Sequence, residues 1–438
     1  MIALILLFLS TAFANDSSDQ FSIWESRHNP KSAYGTKTNL TSGEFDISFR
    51  DIPHIEFRAD NPELKRVGSY MDWIRGAHLG PNLFVVDFAS YLPKYIRDSL
   101  LFEKNGEKWV RWPLSPFDTE FNLILERYLI DQKVPYERGS YFQGRSTSSR
   151  SILLKDPVTG GEFSFKTATN ATVHGNHSFQ YRPYPVRWGH INRRLSDYYY
   201  QMRSKLKYLD IAWEAAFLGL PPVMNSDGKL VDSSMTVRLM ENVSKDKRYH
   251  MSGFVFNDPK EIARLARKAG VTPKKFVDQA SMALGRGIAE LNLVLGFVFT
   301  SAHLQNVRFE MDKHHRLTGR IILLDLSDGR PIQAIFEANG QRELIEDWKF
   351  LVNGSNPIYT KADWDQDDNR WLVPFNKDKV ARGMRERMRE ITTIPESKIK
   401  DIAPLHSGHL NMWGVFKTPE ALVQELTKVR NCTAVIGN

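Results

Sequence analysis

The sequence predicts an α+β fold of two or three lobes, and three observations carry that expectation. Short alternating runs bounded by turn residues occur twice, at 151–167 and at 307–325. Long stretches with apolar residues at helical spacing separate them. A chain of 438 residues that is 42% hydrophobic and 12% aromatic also has ample material for more than one core.

The first run is a hairpin. Ser151–Lys155 and Glu162–Thr167 flank Asp156-Pro157-Val158-Thr159-Gly160-Gly161, a concentrated turn sequence. In Phe163-Ser164-Phe165-Lys166 the phenylalanines share one face, leaving Lys166 on the other, where it can reach phosphates. Just upstream, Gly144–Arg150 reads as a small polar loop, which could fold over phosphates through backbone N–H groups, hydroxyls and Arg145 or Arg150. A solvated basic loop fits the same residues.

A helix is expected from about His190 to Leu218, carrying Asp197, Asp210 and Glu214 as possible partners for Lys166. Met235–Asn242 then reads as a strand. Asp258-Pro259 and Thr272-Pro273 each place a capping side chain before proline at the first helical position, so helices should run to about Gly270 and Leu295. In the second of these, Gly285 and Gly287 permit close packing.

The second run is the more informative. Asn306 opens the alternation Val307, Phe309, Met311, and Asp325 closes the apolar run Ile321–Leu324, with a polar turn between them. The two therefore fall at one end of a strand pair, where an amide oxygen and a carboxylate suit Mg²⁺ shared with nucleotide phosphates. His303, three residues before Asn306, could orient phosphates or take a proton. The same pattern also fits a buried, satisfied His and a capping Asp.

The N-terminus bounds the compartment. Ile2–Phe13 is a short apolar run ending in Ala12-Phe13-Ala14 before polar Asn15, the pattern of a signal peptide cut at residue 14. A single cysteine, Cys432, excludes an internal disulfide and favours a bacterial periplasmic or secreted protein, although sequons such as Asn39 and Asn170 point mildly the other way. The formal charge of +8 suits anionic partners, yet no basic block or specific nucleic-acid signal occurs, and no later segment is long enough to span a membrane. His174–His177 and His406–His409 each read HxxH but lie among turn residues, and Asp363–Asn369 lacks the glycine and glutamate of a calcium loop.

The expected layout is a signal peptide at 1–14, an N-terminal mixed or helical cap at 15–135, a β-rich nucleotide lobe at 136–256 and a helical lobe with the His-x-x-Asn hairpin at 257–438. Two resemblances attach to these residues. Lys166 on a strand, Glu214 on a following helix, and Asn306 with Asp325 together resemble the protein-kinase-like fold, although no Asp precedes Asn306 and the last element reads Asp325-Leu326-Ser327. His303-Leu304-Gln305-Asn306 followed by Asp325 resembles more specifically the ATP-site motif of aerobactin-type siderophore synthetases, with Ser301 and Leu324 standing where that motif has Glu and Arg. Both resemblances imply ATP and Mg²⁺, with Asn306 and Asp325 as metal ligands and His303 and Asp325 in the chemistry. Lys166, Arg145, Glu214 and Gln305 would serve the nucleotide.

The functional expectation is thus an exported ATP/Mg²⁺-dependent transferase with a kinase-like cleft between the Lys166 and Asn306/Asp325 lobes and an unidentified acceptor. The alternatives are an ATP-dependent carboxylate–amine ligase of siderophore-synthetase type and an inactive envelope or secreted binding protein.

Overall fold

A computed structural model describes residues 50–59, 85–114, 119–148, 151–167, 186–224, 230–239, 249–298, 304, 306–326, 329–351, 374–392, 396–400, 404–406, 409–410, 421 and 424. The class is α+β, and the chain divides into two compact units. One comprises Asn29–Tyr200 and Ala212–Met240; the other comprises Met1–His28, Gln201–Ile211 and Glu241–Asn438. The signal-peptide segment, the 174–177 motif and the acidic turn at 363–369 lie outside the described residues.

The first unit is built on one antiparallel sheet. Its strands are β1 (Arg50–Arg58), β2 (Val85–Phe88), β3 (Leu101–Lys104), β4 (Glu107–Pro113), β5 (Tyr136–Ser148), β6 (Ser151–Lys155), β7 (Glu162–Lys166), β9 (Glu214–Met224) and β10 (Leu230–Leu239), in the order β2-β9-β10-β7-β6-β5-β1-β4-β3. Strict alternation makes one face apolar: Ile55, Phe57, Trp112, Phe142, Phe163 and Phe165 are all fully buried. Two helices supply the facing layer, α1 (Lys94–Leu100) through Ile96 and Leu100, and α2 (Thr119–Asp131) through Ile124, Leu125 and Leu129.

The β6/β7 hairpin follows its turn chemistry. Asp156 Oδ1 accepts from Val158 N, Thr159 N and Thr159 Oγ1 at 3.1, 2.7 and 2.8 Å, while Gly160 takes φ +68°. Three expectations need correction here. Residues 50–58 and 85–113, expected within a separate N-terminal cap, contribute four strands to the same sheet as β5–β7. Gly144–Ser148 is not a loop but the end of β5, paired with β6 through Arg145↔Leu153 and Ser148↔Ser151. The alternation of small and polar residues there lets a strand continue as readily as a loop.

The third correction concerns the helix at 190–218. It is α3 (Val186–Met202), and the chain then turns through Arg203–Lys205 into β8 (Leu209–Ile211) and β9. Glu214 therefore opens a strand rather than riding on a helix. β-pairing of Ala216, Phe217 and Leu218 with β10 overrides a helical propensity that Ala and Leu carry locally.

The second unit contains a four-stranded sheet, ordered β11 (Tyr249–Ser252), β13 (Val307–Met311), β14 (Leu317–Leu323), β8. Only β14 and β8 run parallel. Helices α4 (Pro259–Lys268) and α5 (Pro273–Glu290) start as their caps dictate: Asp258 accepts from Lys260 N and Glu261 N at 2.9 and 3.2 Å, and Thr272 from Lys275 N at 3.2 Å. A π turn, Leu291–Leu295, closes α5 at Gly296 with φ +70°.

Gly285 and Gly383 show why α5 tolerates glycine. α8 (Lys377–Ile391) crosses α5 so closely that a Cβ on Gly285 would lie 2.1 Å from the Val380 carbonyl oxygen, and one on Gly383 would lie 2.3 Å from that of Met282. Gly285→Ala must push the helices apart and is expected to cost about 3 kcal/mol, read as a lower urea midpoint at unchanged slope. A neutral outcome would mean that the crossing is not tight. Among the described residues no helix is long and apolar enough to cross a membrane.

Candidate functional site

The face of the first sheet opposite its apolar core is polar and largely cationic. One cross-strand row reads Arg145, Leu153, Ser164, Arg238, Glu214, and the neighbouring row reads Ser151, Lys166, Thr236. Arg145, Lys166, Arg238 and Glu214 are 7, 6, 4 and 3% exposed, so the face is buried despite its charge. Two of the nucleotide-binding residues expected from sequence, Arg145 and Lys166, thus share a face. Glu214 joins it with a different role, since its Oε1 accepts from Arg238 Nε at 3.0 Å in a fully buried ion pair.

Sequence reasoning passed over Arg238. Its signal was available: in Met235-Thr236-Val237-Arg238-Leu239 the arginine falls opposite the apolar face, as Lys166 does on its own strand. Breaking this pair leaves a charge buried without its counter-ion, so Arg238→Ala is expected to cost about 3–5 kcal/mol, while the Arg238→Met/Glu214→Leu double variant should recover much of it. A double-variant loss equal to the sum of the two single losses would show that the two side chains act independently. The other proposed partners of Lys166 are occupied elsewhere: Asp197 meets Arg193 at 2.7 Å, and Asp210 lies on β8 in the second unit.

In the second unit the hairpin places Asn306 and Asp325 at the same end. Val307 pairs with Leu323, and Leu324 N donates to the Asn306 carbonyl at 2.9 Å, so the two residues flank the last rung of the ladder. Asn306 is buried and Asp325 half-buried. Asp325 takes φ +57°, a left-handed conformation uncommon for a residue with a Cβ and one that concentrates at functional sites. An amide oxygen and a carboxylate are the hard-oxygen donor types that Mg²⁺ takes. His303 and Gln305 lie outside the described residues.

What holds this end in place is backbone packing. Gly253, just after β11, sits against the chain beside Asn306: a Cβ there would lie 2.6 Å from the Leu304 carbonyl oxygen and 2.8 Å from that of Val307. β8, which pairs with β14 up to Leu323, is itself tied to α5. Glu290, fully buried, accepts from Lys207 N, Tyr208 N and Leu209 N at 2.8, 2.9 and 2.8 Å and receives Arg387 at 2.6 Å. No sequence pattern pointed to Glu290, because its partners are about 80 residues away.

Two buried histidines, one in each unit, are held neutral. His190 on α3 and His250 on β11 both have pKa values pushed down to about 3, mainly by burial and further by Arg194 and Arg193 in one case and Arg308 and Arg320 in the other. A folded pKa below the unfolded 6.5 means that only the unfolded chain takes up the proton as pH falls. Each histidine is therefore expected to remove about 1.4 kcal/mol of stability per pH unit between about 6.5 and 3. Urea unfolding at pH 7 and 5, on wild type and on His190→Asn, measures its share; an unchanged slope would contradict it.

No family model matches the chain and no curated protein matches it. Solved structures do. The petrobactin biosynthesis protein AsbB from Bacillus anthracis str. Sterne aligns over 90% of this chain and 62% of its own length, at 13% identity and TM-score 0.53. Two proteins from a hypervirulent pathotype of Klebsiella pneumoniae align at lower scores. The aerobactin synthetase IucC covers 91% of this chain and 66% of its own at 12% identity and TM-score 0.48, and ATP-bound IucA covers 78% and 62% at 13% and 0.49. The chain spans less than two thirds of the length of each. At these identities the likeness is one of fold, and the chain shares its α+β architecture with a petrobactin biosynthesis protein.

Proposed function

We propose that this chain is an ATP- and Mg²⁺-dependent ligase of the siderophore-synthetase type, which activates a carboxylate by adenylation and passes it to an amine acceptor. The observation that carries the proposal is the pairing of Asn306 with Asp325 at one hairpin end in a chain that shares the fold of a petrobactin biosynthesis protein. That fold favours the ligase over the kinase-like transferase. Glu214 also opens a strand and pairs with Arg238, so the lysine–helix-glutamate pairing on which the kinase likeness rested finds no support at that residue.

In this proposal Asn306 and Asp325 are the residues that would hold Mg²⁺, which when bound neutralises phosphate charge. On the polar face of the first sheet, taken by itself, Lys166 and Arg145 are the residues with positive charge to offer a phosphate, and Arg238 keeps Glu214 from cancelling it. His303 orients the phosphates or takes the acceptor's proton, and Gln305 belongs to the same nucleotide-binding segment. Export, with the mature chain beginning at Asn15, is part of the proposal; amino-terminal sequencing of secreted or envelope protein that returned Met1 would remove it.

Product analysis separates the two chemistries. Incubation with Mg-ATP and a panel of carboxylates and amines should release AMP and pyrophosphate and exchange labelled pyrophosphate into ATP. Release of ADP instead would return the assignment to a kinase.

A further inference from the structure

The four-stranded sheet of the second unit has a polar face as well as an apolar one. Val307, Phe309, Met311 and Ile321 point to the α5 side, where Gly287 packs on Ile321. The opposite face carries Arg308 and Glu310 of β13 with Ser252 and His250 directly across on β11, and Asp210 of β8 beyond Ile322. His250, Ser252, Arg308 and Glu310 are only 2–4% exposed. This face ends beside the candidate metal end, because Asn306 immediately precedes β13 and its carbonyl accepts from Leu324 N at 2.9 Å. At its far end it reaches solvent at Thr318 and Arg320.

Within the row the charges are matched. Thr318 donates to Glu310 at 2.8 Å, and Arg320 lies 3.7 Å from Glu310 and 3.5 Å from Asp210. His250 stands apart: among the described residues neither of its ring nitrogens has a hydrogen-bond partner, although it lies opposite Glu310 and is 2% exposed. A buried imidazole left unpaired at both nitrogens is costly, and such a group in a folded protein calls for an occupant. Burial beside Arg308 and Arg320 keeps the ring neutral, so it offers one N–H donor and one lone pair. The complementary group is one that accepts and donates at once and carries no charge.

We propose that the polar face running from Asn306 past Arg308 to His250 is a substrate subsite, in which His250 hydrogen-bonds an uncharged hydroxyl of a substrate whose reacting end lies by Asn306 and Asp325. The strand rise sets the span: four residues from Asn306 to Glu310 correspond to about 13 Å, so the hydroxyl belongs to an extended molecule or to one bound beside the reacting group. The proposal rests on the ligase assignment only for which substrate bears the hydroxyl, the carboxylate donor or the amine acceptor.

Paired probes that differ by a single hydroxyl test it: malate against succinate, and 1,3-diamino-2-propanol against 1,3-diaminopropane. Each is measured by thermal melting of the full chain, with and without Mg-ATP, on wild type and His250→Leu. The expected result is a larger wild-type shift for the hydroxylated member of one pair, which identifies the substrate concerned, and loss of that preference in His250→Leu. The variant should keep the wild-type response to Mg-ATP and melt a few degrees higher without ligand, because an unsatisfied polar group has been removed. No hydroxyl preference in either pair, or a preference that survives in the variant, overturns the subsite. So does a variant that melts well below wild type, since the imidazole is then part of the interior's own hydrogen bonding. Failure of the wild type to respond to Mg-ATP is a separate result, which removes the ligase assignment and leaves the probe comparison standing.

Discussion

Asp325→Asn is expected to abolish the Mg²⁺-dependent rise in melting temperature that ATP confers, while changing the melting of the ligand-free protein little. The substitution keeps shape and hydrogen-bonding reach but removes the negative charge that a hard divalent cation requires. Asn tolerates the left-handed backbone of position 325 as well as Asp does, so φ +57° does not penalise the variant. Only a ligand that binds the native state raises its stability, and at 100 times Kd the rise is about 2.7 kcal/mol, which is the effect the variant should lose. A structural aspartate would behave in the opposite way, costing about 1–3 kcal/mol without ligand and leaving the Mg-ATP shift intact. Melting curves of both proteins, each with ATP alone and with ATP plus Mg²⁺, decide between these outcomes. The same comparison on Gly253→Ala probes the mechanism of positioning, since the added Cβ must displace the Leu304 and Val307 carbonyls on either side of Asn306.

Glu290→Ala is expected to produce the largest loss of stability of any single substitution in the second unit. Its fully buried carboxylate accepts three consecutive backbone N–H groups at the entry to β8 and pairs with Arg387. Removing it leaves three donors without an acceptor and takes from the Arg387 guanidinium one of its two carboxylates, Glu390 at 2.6 Å being the other, a change of about 3–5 kcal/mol. For a unit of this size that corresponds to a fall of about 10 °C in melting temperature. β8 would be released from α5, and with it the parallel partner that steadies β14 up to Leu323, two residues before Asp325. Nucleotide response should therefore weaken together with stability in Glu290→Ala, whereas in Asp325→Asn only the response is lost. Hydrogen exchange at Ile321, whose amide donates to the Tyr208 carbonyl, provides the local check: protection there that survives the substitution would show that β8 is held by its sheet pairing alone.

The parts of this protein that sequence determines are those whose causes lie within a few residues. Asp156, Thr159 and Gly160 dictate the turn of the β6/β7 hairpin, Asp258-Pro259 and Thr272-Pro273 dictate where α4 and α5 begin, and alternation on either side of a polar turn brings Asn306 and Asp325 to one strand end. Each is a matter of backbone preference and period, which local side chains set on their own. Tertiary structure decided the rest. Ala215 to Leu218 suits a helix locally and becomes strand because β10 and β2 offer hydrogen-bonding edges on both sides. Glu214 finds Arg238 across a strand pair rather than Lys166, and Glu290 finds its backbone donors 81 to 83 residues away. Those pairings exist because a charge buried in an apolar interior must be met by whatever group the fold brings to it, and that group's identity is a property of the packed chain rather than of any local stretch of it.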